Sequence, residues 1–101
     1  MLLLKDIYFY AIKVDYFMFN SETNEEYTEP VYLSIDTETK KKDGTPLNLI
    51  IFEEEITDHL RVFATEREAK KYMKEKCTDS CCFEKPRVVK IKYNNGKMEE
   101  A

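Results

Sequence analysis

The stretch Asp6–Phe19, DIYFYAIKVDYFMF, decides how this chain folds. Successive side chains of a strand point to opposite faces. One face would carry Tyr8, Tyr10, Ile12, Val14, Tyr16 and Met18. The other would carry Ile7, Phe9 and Ala11 before it turns polar at Lys13 and Asp15. A strand that is apolar on both sides belongs in the middle of a sheet, or under cover on both faces.

Further along the chain, Val31, Leu33 and Ile35 alternate with Tyr32, Ser34 and Asp36, the pattern of a half-buried strand. KKKDGTP over 40–46 holds an Asp43-Gly44 turn, which predicts a long-looped hairpin between 31–36 and 47–53. Leu60 to Phe63 reads as a short strand leading into a helix. In that helix Thr65 and Glu68 make a capping box: the hydroxyl reaches the amide of Glu68 and the carboxylate reaches back. Ala69, Tyr72 and Met73 follow at helical spacing, with acids opening the segment and lysines closing it. Arg87, Val89, Ile91 and Tyr93 mark a last strand, ended by Asn94-Asn95-Gly96. The sequence thus predicts an α+β domain over 1–97. It has a mainly antiparallel sheet of about five strands in the order β-β-β-β-α-β, one helix at about 65–77 packed on a face, and a frayed tail at 98–101.

The chain has 101 residues, 43% hydrophobic and 36% charged, with thirteen aromatics and two glycines. That is one domain with a modest core, and the composition is not that of a disordered chain. Lys5, Asp6, Lys13 and Asp15 interrupt the apolar start, so no run reaches the roughly 18 residues of a spanning helix. The start also lacks the pattern of a signal peptide. An intracellular, cytoplasmic protein is expected, and three cysteines, an odd number, suit a reducing compartment.

All three cysteines fall in CTDSCC, 77–82. Structural zinc wants four ligands, commonly in C-x2-C pairs. Here the spacing is C-x3-C-C, and a fourth ligand would have to be His59, the only histidine. Cys77, Cys81, Cys82 and His59 therefore form the weaker, zinc-binding alternative. The expectation is no metal and no cofactor, with a loop after the helix whose thiols pack as small hydrophobes. No C-x-x-C redox pair, glycine-rich phosphate loop, G-x-S-x-G or H-E-x-x-H occurs. Nothing in the sequence sets Ser34 or Ser80 beside His59. A non-catalytic protein is expected.

Charge is the remaining signal. Residues 1–64 hold 13 acids and 6 bases, a net of −7, and residues 65–101 hold 7 acids and 10 bases, a net of +3, which together give the −4 of the whole chain. The acids gather at Glu22, Glu25, Glu26 and Glu29, and again at Glu53, Glu54, Glu55 and Asp58. An acidic surface of this kind would dock on a basic protein partner, with Tyr27 and Tyr32 as anchors. The competing reading puts nucleic acid on Arg67, Lys70, Lys71 and Lys74 of the helix with Lys90 and Lys92 of the last strand. The chain's pI of about 5.1 weighs against it. In size, acidity and tyrosine content the whole chain resembles small phage-encoded inhibitors of host defence, including anti-CRISPR proteins. The resemblance implies an inhibitor of nucleic-acid-handling machinery and transfers no residue, since no motif carries it. One helix covers one face of a sheet, so a homodimer would cover the second, with the aromatic first strand as the pairing edge.

Overall fold

A computed structural model describes residues 6–78 and 81–101. Five strands form one antiparallel sheet: β1 (Ile7–Asn20), β2 (Glu25–Asp36), β3 (Leu49–Glu53), β4 (Phe83–Asn94) and β5 (Lys97–Glu100). One helix, α1 (Glu66–Lys76), lies between β3 and β4 in sequence, and the spatial order is β3-β2-β1-β4-β5. The α+β class, the antiparallel sheet and the single helix are those the sequence predicts. Thr65 caps α1, its hydroxyl accepting the Glu68 N–H at 3.2 Å.

The element order differs from the expected one and is β-β-β-α-β-β. Two corrections account for this. Residues 98–101 are not a frayed tail. Asn95 and Gly96 both take positive φ (54° and 77°), which turns the chain back so that Lys97–Glu100 pairs with β4. Leu60–Phe63 is not a strand of the sheet. β1 and β2 pair from Lys13↔Tyr32 outward to Asn20↔Glu25, then part, and 59–63 enters the gap as a wedge. Ile35 donates to the His59 carbonyl at 2.8 Å and Arg61 donates to Leu33 at 3.1 Å. Tyr10 and Phe63 exchange both backbone bonds, at 2.9 and 2.8 Å. The segment changes partner midway from β2 to β1, so it is too short on either side to make a ladder.

The wedge solves the problem set by β1, which sits at the centre of the sheet as its pattern predicts and not at an edge. On one face α1 packs across β1 and β4, and Ile12, Val14, Val31 and Leu33 are buried with Phe63, Ala69 and Cys77. Rings continue this core past the helix: Tyr16 meets Phe52 at 5.8 Å, and Phe52 meets Phe83 at 5.4 Å. Phe52 and Phe83 lie on strands separated by two others, so the sheet curls toward this face. A bulge in β4 opposite Lys13–Asp15, where Lys85 has φ 53°, supplies local bend. On the other face Ile56, Leu60 and Val62 of the chain entering the wedge cover Ala11, Tyr32 and Ile91. Beyond this cover, Ile7, Phe17 and Phe19 of β1 stay exposed on the same face.

Burial decides which contacts matter most. Leu33 is fully buried, so Leu33→Ala should cost about 2–5 kcal/mol. Loss of the exposed Thr65 cap in Thr65→Ala should cost about 1 kcal/mol. Urea unfolding of the two variants checks the ranking, and an equal cost would contradict the placement of Leu33.

Candidate functional site

The register of the strands places the acidic residues. Alternation from Val14↔Val31 puts Tyr16, Met18, Glu25, Tyr27, Glu29 and Val31 on the face that α1 occupies. Leu33↔Phe52 adds Ile50, Phe52 and Glu54 to it. The helix packs toward β4, and the β2–β3 side of this face lies outside its cover. There a groove of about 450 Å³ opens, floored by Tyr16, Met18, Val31, Ile50 and Phe52, with Glu29 and Glu54 among its lining residues. Glu29 hydrogen-bonds to Glu54 and feels its charge, and this holds its carboxyl above the ordinary value of 4.5. Two neighbouring carboxylates repel each other once both ionise. A cation placed between them relieves that repulsion.

The predicted contact residues divide between the two faces. Glu22 lies in the β1–β2 turn, where its N–H donates to Asn20 Oδ1 at 3.0 Å. Glu25 and Tyr27, the latter 43% exposed, extend the groove along the projecting β1–β2 hairpin. That hairpin contributes to an elongated molecule: the radius of gyration is 15.9 Å, against about 13 Å for a compact domain of this length. Glu26 points to the opposite face, near exposed Phe17 and Phe19. Glu55 and Asp58 are exposed on the segment that crosses toward the wedge.

Two of the expected contacts are corrected. Tyr32 is buried, and its hydroxyl donates to Glu100 at 3.2 Å, so it serves the core rather than a partner. Lys13 joins it, 3.0 Å from the same carboxylate oxygen and 4.9 Å from the Tyr32 ring. Burial opposes the Lys13 ammonium, but Glu100 and Tyr32 outweigh it and hold its pKa above the usual lysine value. Glu53 is half-buried, accepts from Thr57 at 3.1 Å and lies 3.6 Å from His59, so local partners already engage it. The groove residues absent from the sequence reading are Tyr16, Met18, Val31, Ile50, Phe52. Their signal is pairing register: β2 begins at Glu25, six residues before the strand that alternation from Val31 predicts.

The basic residues form a separate surface. Arg67, Lys70, Lys71 and Lys74 line the outer side of α1 with Glu66. Lys90 and Lys92 lie on the same side of the sheet. Several are engaged: Lys70 with Glu66 at 3.1 Å, Lys92 with Glu99 at 3.0 Å, and Lys90 over the Tyr8 ring at 4.3 Å.

The cysteines separate. Cys77 is 3% exposed within the core beside the helix C-terminus, and burial raises its thiol pKa. Cys81 and Cys82 are exposed, their sulfurs 3.8 Å apart. Asp79 and Ser80 lie outside the described residues. Among the described residues no three His, Cys, Asp or Glu side chains converge as metal ligands. Ser34 is fully buried, and its hydroxyl donates to the Tyr32 carbonyl, so it is not presented to a substrate. No helix among the described residues is long and apolar enough to cross a membrane. No protein-family model, no curated protein and no solved structure matches the chain.

Since the raised Glu29 pKa means tighter proton binding in the folded state, its contribution is present below the unfolded carboxyl pKa and is lost as pH rises through the raised value. Carboxyl NMR titration should place Glu29 above 4.5, and Glu54→Gln should bring it down. An unchanged Glu29 titration in that variant would show that the two carboxyls do not meet.

Proposed function

We propose that this protein is a small, non-catalytic protein-binding module that docks on a basic partner through the β2–β3 groove. Nucleic-acid-handling machinery, which must carry a basic surface for its own substrate, is the partner class that suits it best, with this protein as its inhibitor. The observation that carries this reading is the crowded Glu29–Glu54 pair beside an apolar floor that α1 leaves open. Magnitudes divide the labour between rim and floor. An exposed ion pair contributes about 0–1 kcal/mol, while burying one side chain of Met or Phe size contributes about 1.5–3 kcal/mol. The floor then supplies residence time, and the acids supply orientation and association rate. Glu22, Glu25 and Tyr27 extend the docking surface along the hairpin.

A photo-crosslinking residue at Met18, with Lys71 as the comparison site, tests the reading in the source cell. The expected result is a protein adduct from position 18 that survives nuclease treatment. With that partner in hand, Glu25→Lys with Glu29→Lys should slow association about tenfold at low salt. Met18→Asp should instead speed dissociation. Both variants should keep the unfolding midpoint close to that of the parent chain. Adducts from position 71 alone, lost on nuclease treatment, would replace this reading with nucleic-acid binding on the basic face.

A further inference from the structure

A strand edge with unpaired backbone groups recruits another strand unless something blocks it. Two of the open edges here are blocked. Leu33 and Ile35 spend their backbone groups on the wedge, so β2 residues of odd number face β1 and those of even number face outward. Pro30 therefore sets its missing N–H on the open edge of β2. β5 is four residues long and carries Lys97, Glu99 and Glu100. The outer edge of β3, five residues long, has no proline, and its one charge, Glu53, lies at its end. Leu49-Ile50-Ile51-Phe52 contains no charge and no proline, and Leu49 and Ile50 are 45% and 49% exposed. Its own ladder with β2 uses the backbone of Leu49, Ile51 and Glu53, which leaves the N–H and C=O groups of Ile50 and Phe52 pointing outward.

We propose that β3 pairs antiparallel with β3 of a second copy about a two-fold axis at Ile51, joining two five-stranded sheets into one of ten strands. In that register Ile50 of each copy faces Phe52 of the other, and each pair exchanges two N–H···O bonds. The two Ile51 side chains meet on the opposite face. Charge fixes the direction. Continuing the register sets Asn48 opposite Glu54 and Leu47 opposite Glu55. Leu47 bonds back to Thr39, and Lys40 bridges Pro46, so the Lys40–Lys42 loop of each copy arrives at the Glu53–Glu55 end of the other. The two-fold makes this contact twice. It also sends the two acidic hairpins in opposite directions, away from each other. The pairing rests on the outward backbone groups of Ile50 and Phe52 and on the lysine loop, and it brings the two groove floors side by side at the two-fold.

Sedimentation equilibrium of the full chain, from dilute to concentrated solution, tests this together with amide exchange by NMR. The expected result is a dimer in which the Ile50 and Phe52 amides are protected and become exchangeable on dilution. Ile50→Pro removes an outward N–H and no bond of the β2–β3 ladder. It should give a monomer with unchanged circular dichroism, and Ile50→Lys should do the same if the proline variant folds poorly. Replacing Lys40, Lys41 and Lys42 together by Glu should weaken the dimer about tenfold. A chain that stays monomeric at every concentration overturns the proposal. So does a dimer that survives Ile50→Lys with the amides at positions 50 and 52 still exchanging freely.

Discussion

β1 is apolar on both faces, and the rest of the structure follows from the need to cover both. A single helix cannot do this. The chain instead parts β1 from β2 beyond Lys13↔Tyr32 and drives 59–63 into the opening. The bonds of the wedge satisfy backbone groups that the parted strands would otherwise leave unpaired and buried. Its side chains serve both faces: Phe63 enters the core beneath α1, while Leu60 and Val62 join the core on the other side. Arg61 lies over the Phe63 and Tyr72 rings, at 4.7 and 5.9 Å, which ties the wedge to the helix that follows it.

This arrangement also decides what is left open. The chain leaves β3 after five residues to reach the wedge, so β3 stays short and, among the described residues, β2 has no outer neighbour over 25–31. The helix follows the wedge and packs toward β4. Between them remains the β2–β3 side of the helix face, where the groove lies. Groove and bare edge are thus both consequences of covering β1 with a single short crossing.

Much of the fold was legible because its signals are local. The capping box at Thr65 and the apolar faces of β1 each specify their element without reference to distant residues. The tail and the wedge were not legible for the opposite reason. Lys97–Glu100 has little strand character of its own and is held by pairing with β4, by Lys92–Glu99 and by Glu100 with Lys13 and Tyr32. Leu60–Phe63 looks like a strand and has strand-like bonds, but to two different partners. For the candidate site, clustered acids are visible in any sequence, and Glu29 with Glu54 came from that signal. Which of them share a face depends on register, and register separated Glu26 from Glu29 and sent Tyr32 into the core.

Native-state amide exchange of Tyr10, Ile35, Arg61 and Phe63, whose N–H groups make the wedge bonds, reports whether the wedge opens apart from the core. All four are expected to exchange together, with protection close to that of the β1–β2 ladder, because the wedge opens only when the core does. Arg61 and Phe63 exchanging as fast as the exposed 37–48 loop, while the ladder stays protected, would contradict it.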